Sequence, residues 1–189
     1  MFKYTQAVRP GFAFLAVALL SLAPVVASAQ VLKDSAEFSG FLAQAKSEAV
    51  QVQQAAEEMN SFNSNVGWQT QAGTLEELKT HVNKLGEMVI SMNNAEAPSR
   101  WQQNAISEIT PLVEQLAAQV TMAFYDLDSS HEAYVFSSFP EYVAANAELT
   151  PRITQMISQY VAYDETKQKA KEAADELQRA RWSREHFED

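Results

Sequence analysis

The stretch LEELKTHVNKLGEMVISM, residues 75–92, decides the fold class of this 189-residue chain. Its apolar residues follow one another at alternating intervals of three and four positions: Leu75, Leu78, Val82, Leu85, Val89 and Met92. These intervals place the side chains on one face of an α-helix, whereas a strand would alternate every second residue. We therefore predict an amphipathic helix from about Trp68 to Met92.

Apolar stripes of the same kind predict three further helices. The first stripe contains Phe38, Phe41, Ala45, Val52, Ala55, Met59 and Phe62. The next contains Trp101, Ala105, Ile109, Leu112, Leu116, Val120, Ala123 and Leu127. The last contains Tyr142, Leu149, Ile153, Met156, Tyr160 and Tyr163. The region is poor in glycine and rich in Ala, Gln, Glu and Leu, which also favours helix.

Capping residues predict where these helices begin and end. Asp34 with Glu37, and Ser99 with Gln102, have the spacing of capping boxes at the starts of the first and third helices. The two asparagines at positions 93 and 94 are expected to end the second helix in a left-handed conformation.

Four amphipathic helices joined by short polar connections predict an all-α fold, an antiparallel up-down four-helix bundle with a long C-terminal helical extension. The fourth helix begins near Pro140, and no helix breaker follows between Arg152 and the C-terminus. We expect a cleaved signal peptide at residues 1–29, the four-helix bundle at 30–163, and a charged helical tail at 164–189 that continues the fourth helix.

The first thirty residues have the pattern of a secretory signal peptide. Lys3 and Arg9 precede an apolar run at 12–22, and Pro24 and the small residues at 27–29 follow it. A positive end, a short apolar helix and small residues at the cleavage site direct a chain to export. We predict cleavage after Ala29 and a periplasmic or extracellular location. The alternative is an uncleaved membrane anchor, because the apolar region is nearly long enough to span a bilayer.

Composition excludes several classes of function. The chain contains no cysteine, which removes disulfides, thiolate metal sites and cysteine nucleophiles. It has 14 Lys and Arg against 24 Asp and Glu. Without Lys3 and Arg9 the exported chain has 12 basic and 24 acidic residues, a net charge of -12. Because nucleic acid and anionic lipid both require a basic surface, we expect neither as a partner.

The acidic excess is unevenly distributed along the exported chain. Residues 30–163 contain 6 basic and 16 acidic residues, whereas residues 164–189 contain 6 basic and 8 acidic residues. The acidity therefore belongs to the predicted bundle, and the mixed charge belongs to the predicted tail.

Two Thr-Pro pairs, Thr110-Pro111 and Thr150-Pro151, lie inside predicted helices. A proline in a helix interior removes one backbone hydrogen bond and bends the helix. The two kinks are interpreted either as a widened middle of the bundle that admits a ligand or as matched curvature of neighbouring helices.

The histidines offer weak candidates for a metal site. His81 and Met88 lie on a similar face of the second helix and could bind copper(I) or contribute to a haem site. The alternative is that His81 pairs on the surface with Glu77, one turn away, and that Met88 packs near the core. We predict no cofactor and no catalytic residues, because no cluster of titratable residues has the spacing of an active site.

Aromatic residues are concentrated where the third helix ends and the fourth begins. The candidates for a binding surface are Tyr125, Tyr134, Phe136, Phe139 and Tyr142. These side chains either close one end of the bundle or form an apolar surface for a partner.

Two functional hypotheses follow. The first is an exported non-enzymatic helical-bundle protein that acts through protein–protein contacts in the cell envelope, with a protein partner or with itself through the C-terminal helix. The second is a carrier of a small molecule, copper or haem in the bundle interior.

Overall fold

The structure, a computed structural model, describes residues 34–62, 66–129 and 138–187. These residues form four helices: α1 (Ala36–Asn60), α2 (Trp68–Asn93), α3 (Arg100–Ser129) and α4 (Phe139–Phe187). No strand occurs in these ranges, which confirms the all-α prediction. The predicted signal peptide lies outside the described residues.

The apolar stripe of α2 agrees with the sequence prediction at every position. All six residues that define it are buried: Leu75, Leu78, Val82, Leu85, Val89 and Met92. Its regular alternation of three and four gives a single inward face, so the prediction needed no knowledge of the neighbouring helices.

Each helix packs against two others. α1 and α3 both contact α2 and α4, and these four contacts join the helices around a common core. Many of the core residues of α1 are small: Ala45, Ala49, Val52, Ala55 and Ala56. Small side chains allow close approach, and the hydroxyl of Thr154 on α4 reaches the backbone carbonyl of Ala49 at 3.1 Å. The contacts are those of a helical bundle.

Two predicted helix ends differ from the structure. The N-cap of α1 is Ser35 rather than Asp34, and its hydroxyl accepts a hydrogen bond from the backbone N–H of Phe38. At the end of α2, Asn94 is right-handed, and the left-handed residue is Ala97, with φ of 47°. Left-handed geometry costs a residue with a Cβ about 1–2 kcal/mol.

The helix α4 is continuous from Phe139 to Phe187, with Pro151 inside it. It begins one residue before the predicted Pro140. Its buried apolar positions include Leu149, Ile153, Ile157 and Val161, whereas Tyr163, predicted as part of the stripe, is 49% exposed. The buried face follows intervals of four residues, and this series turns Tyr163 toward the surface.

Candidate functional site

Three residues from distant parts of the sequence meet where α4 passes the starts of α1 and α3. The indole Nε1 of Trp101 donates a hydrogen bond to Oδ1 of Asp34 at 2.7 Å. The ammonium of Lys167 lies 2.6 Å from Oδ2 of the same carboxylate. We call Asp34, Trp101 and Lys167 the anchor, because they attach α4 to the other two helices at the point after which it is exposed.

Aromatic packing supports the anchor. The ring of Phe38 meets Trp101 edge to face, with 5.6 Å between centroids and an interplanar angle of 86°. The ring of Tyr163 is tilted by 59° against the Trp101 indole, with 5.3 Å between centroids. The Lys167 ammonium is 5.7 Å from the indole centroid. Aromatic and cation–π contacts of this geometry add to the stabilisation by burial alone.

The electrostatics of the anchor favour an ionised Asp34. Partial burial opposes ionisation of this carboxyl, but the hydrogen bonds from Lys167 and Trp101 and the positive charge of Lys167 outweigh it. Together they hold the pKa of Asp34 below its usual value of 3.8. The ion pair is therefore formed at neutral pH.

The side chain of Gln102 joins the beginnings of α1 and α3. Its Oε1 accepts hydrogen bonds from the backbone N–H groups of Ser99 at 2.9 Å and Ser35 at 3.0 Å. Its Nε2 donates to the carbonyl of Ser35 at 3.0 Å. The contact with Ser99 is one half of the predicted capping box, and the contacts with Ser35 were not predicted.

Sequence reasoning missed the anchor as a unit. It assigned Asp34 to a helix cap and Trp101 to the apolar stripe of the third helix, and it did not single out Lys167. No local spacing connects the three residues, because their meeting depends on which helices are neighbours and on their relative register.

Beyond the anchor, α4 makes an exposed helical surface. Every described side chain from Gln168 to Arg184 is exposed, and we call this range the exposed segment of α4. It includes two large apolar side chains, Leu177 at 61% and Trp182 at 57% exposure. Its charges come in alternating groups, basic at 169–171, acidic at 172–176 and basic at 179–184. Charges of this kind stabilise an isolated helix weakly and keep it soluble.

The residues of the predicted aromatic surface differ in their burial in the structure. Tyr125 is 70% exposed, whereas Phe139 is buried in the core. Tyr142 is partly buried and packs against the core. Tyr134 and Phe136 lie outside the described residues.

Tyr125 borders an open pocket between α2 and α3. The pocket is lined by Lys79, Thr121, Phe124, Tyr125 and Asp128. The ammonium of Lys79 lies 4.6 Å from the centroid of the Phe124 ring and also pairs with Glu76 at 3.1 Å. Intramolecular partners thus already engage Lys79, the cation that the described residues contribute to this pocket.

The structure gives His81 a partner that the sequence did not indicate, and it places Met88 against the core, as the alternative to a metal site expected. Nδ1 of His81 lies 2.9 Å from Oε2 of Glu48 on α1, so its partner is on the neighbouring helix rather than at Glu77. Met88 is partly buried and packs against the core. The described part of the chain contains no group of three or more His, Cys, Asp or Glu residues placed to hold a metal ion. No helix among these residues is both long and apolar enough to cross a membrane.

Two polar residues occupy the core face of α4. Asn146 and Thr150 are each 1% exposed, and both polar side-chain atoms of Asn146 and the hydroxyl of Thr150 lack a hydrogen-bond partner among the described residues. An unsatisfied buried polar group costs about 1–3 kcal/mol. Three such atoms would cost about 3–9 kcal/mol, against a typical total stability of about 5–15 kcal/mol. The sequence contained a signal for this pair, since Asn146 and Thr150 continue the spacing of the apolar stripe.

Comparison of this chain with protein families, curated proteins and solved structures finds no match.

Proposed function

We propose that this chain is an exported, non-enzymatic helical-bundle protein that acts through protein–protein contacts in the cell envelope, with the exposed segment of α4 as the contact surface. The observation that carries this proposal is the uninterrupted exposure from Gln168 to Arg184 on a helix that is buried on one face before Lys167. Leu177 in that segment offers an apolar group of the kind that protein interfaces bury.

The anchor supports this role because it sets the direction in which α4 leaves the core. Lys167 is bound to Asp34 directly before the exposed segment begins. At 1.5 Å per residue the segment from Gln168 to Arg184 extends over about 25 Å. A helix held at its base presents its surface to a partner with less loss of conformational freedom than an unattached one.

The proposal includes an up-down-up-down arrangement of the four helices. The support for this arrangement comes from which parts of the helices contact one another. The start of α3 meets the start of α1 through Gln102 and Ser35, and the same region of α3 meets the middle of α4 through Trp101 and Tyr163. Lys79, in the first half of α2, lies over Phe124, near the end of α3.

Export to the periplasm or the cell exterior is part of the same proposal. It rests on the order of the cationic, apolar and small residues in the first 29 positions. A net charge of -12 after cleavage disfavours nucleic acid as a partner.

The experiment compares two variants of the full chain, Leu177→Ser and Ile90→Ser, in crosslinking and pulldown from the envelope fraction of the native host. Leu177 and Ile90 are almost equally exposed, at 61% and 62%, but Ile90 lies on α2 in the bundle. We expect a partner, or a second copy of the chain, that the wild type and Ile90→Ser retain and Leu177→Ser loses. Equal recovery with both variants, or no partner with any of them, would contradict the proposal.

A further inference from the structure

One turn of α4 concentrates polar groups in the bundle core. Asn146 and Thr150 are four residues apart, so their side chains lie on the same face of the helix. Each is 1% exposed. Oδ1 and Nδ2 of Asn146 and Oγ1 of Thr150 have no hydrogen-bond partner among the described residues.

The proline that follows adds a fourth polar group to this turn. Pro151 has no N–H, so the carbonyl of Ala147, four residues earlier, cannot receive its usual helical hydrogen bond. One turn later, the hydroxyl of Thr154 lies 3.1 Å from the carbonyl oxygens of both Thr150 and Ala49 and shares its one proton between them. In the part of the chain that the structure describes, the side chains of Asn146 and Thr150 make no comparable contact.

The other Thr-Pro pair shows a different arrangement. The hydroxyl of Thr110 donates to the carbonyl of Ile106 at 2.7 Å, which is the ordinary contact of a helical threonine. Thr150 makes no such contact with its own helix. The Thr150 hydroxyl is therefore available to a group that is not part of α4.

We propose that Asn146 and Thr150 form an internal binding site for a small neutral guest that both donates and accepts hydrogen bonds, water being the smallest such molecule. A buried water requires two to four polar partners, and the three unpartnered side-chain atoms of Asn146 and Thr150 supply that number. The guest is neutral because neither side chain carries a charge to offset the burial of an ion. The site does not depend on the contact function of the exposed segment of α4.

The first test is the sign of a stability change. Thr150→Val removes the hydroxyl and keeps the shape of the side chain. If the hydroxyl binds a guest, the variant loses that bond, and we expect the melting temperature of the full chain to fall by about 2–4 °C. If the hydroxyl is buried without a partner, its removal raises the melting temperature. Thr110→Val is the matched control, because it makes the same change before a proline at a hydroxyl bonded within its own helix.

The second test identifies the guest. A water held in the site gives exchange cross-peaks of a long-lived water with the side-chain amide of Asn146 by NMR. A larger guest appears as an added mass in native mass spectrometry of protein purified from its host. The double variant Asn146→Leu/Thr150→Val loses that mass, and Thr110→Val keeps it. A higher melting temperature of Thr150→Val, or the absence of both the cross-peaks and the added mass, overturns the proposal.

Discussion

The ammonium of Lys167 lies 2.6 Å from Oδ2 of Asp34, and this ion pair joins the residue before the N-cap of α1 to the point where α4 becomes exposed. The other oxygen of the same carboxylate accepts a hydrogen bond from the indole of Trp101 on α3. One side chain thus connects three helices, and its removal affects both the stability of that region and the position of the exposed segment of α4.

Substitution of Asp34 by asparagine is expected to lower the free energy of unfolding by about 1 kcal/mol. The amide keeps an oxygen for Trp101 but loses the charge that pairs with Lys167, and partial exposure of both side chains limits the loss. Urea denaturation at neutral pH measures the change. Glu87→Gln is the control, because it removes an exposed carboxylate on α2 that lies outside the anchor and outside the first turn of a helix.

The effect of Asp34→Asn depends on pH in a defined direction. The pKa of Asp34 is lowered in the folded chain, so its ionised form stabilises the fold above the unfolded value of 3.8. This contribution is lost as the pH falls through the lower folded value. We expect the stabilities of the wild type and Asp34→Asn to converge in acid. A difference that is constant down to the acid limit, or an equal loss in Glu87→Gln, contradicts the ion pair.

The partner of His81 can be identified by double-mutant cycles. The structure pairs this imidazole with Glu48 on α1, whereas the sequence spacing suggested Glu77 on the same helix. We expect a coupling energy of about 0.5–1 kcal/mol between His81→Ala and Glu48→Ala, since the pair is partly buried. The cycle of His81→Ala with Glu77→Ala serves as the control and is expected to be additive. Equal coupling in the two cycles would show that the interhelical contact is absent.

Tyr160 is expected to titrate at unusually high pH. Burial and a hydrogen bond with Glu108 raise the pKa of Tyr160 to about 12. Tyrosine in the unfolded chain ionises near pH 10, so Tyr160 stabilises the fold fully below that pH. The contribution is lost as the pH rises through about 12.

Two measurements check this expectation for Tyr160. Tyr160→Phe removes from the ultraviolet titration of tyrosinate one group with a midpoint near 12. The stability advantage of the wild type over this variant also decreases between pH 10 and 12. Superimposable alkaline limbs of the two titrations would disprove the assignment.

Hydrogen exchange is expected to divide α4 at the anchor. Residues 149–161 contain the buried stripe, whereas every described side chain at 168–184 is exposed. A helix without tertiary packing opens readily, so amides at 172–184 are expected to exchange at least about a hundredfold faster than those at 149–161. Mass spectrometry of peptides from the full chain resolves the two regions. Equal protection would indicate that the segment is covered in solution, for example by a second copy of the chain.

The inward faces of the helices were predictable to different degrees. On α2 every predicted stripe residue is buried, because the spacing of three and four leaves no ambiguity. On α3 the predicted stripe residue Leu112 is only partly buried, and its neighbour Val113 is buried in the core instead. Two adjacent apolar residues fit the same stripe equally well, and packing against the neighbouring helices decides between them.

The candidate sites were less predictable than the helices. The charged helical character of the exposed segment of α4 follows from its mixed charge, which the sequence displays directly. The pairing of His81 with Glu48 rather than Glu77 does not, because contacts along one helix are visible as spacing and contacts between helices are not. The same limit applies to the anchor.

The sequence by itself determined that this chain is helical, where its main helices lie, and that its acidic charge is concentrated before residue 164. Each of these properties depends on residues close together along the chain, through hydrogen bonds of helical turns and the periodicity of apolar side chains. Only the tertiary structure decided that Asp34 binds Trp101 and Lys167, that His81 meets Glu48, and that Asn146 and Thr150 lie in the core without partners among the described residues. These relationships depend on the register of one helix against another, which the summed packing of many side chains determines and which no local pattern in the sequence records.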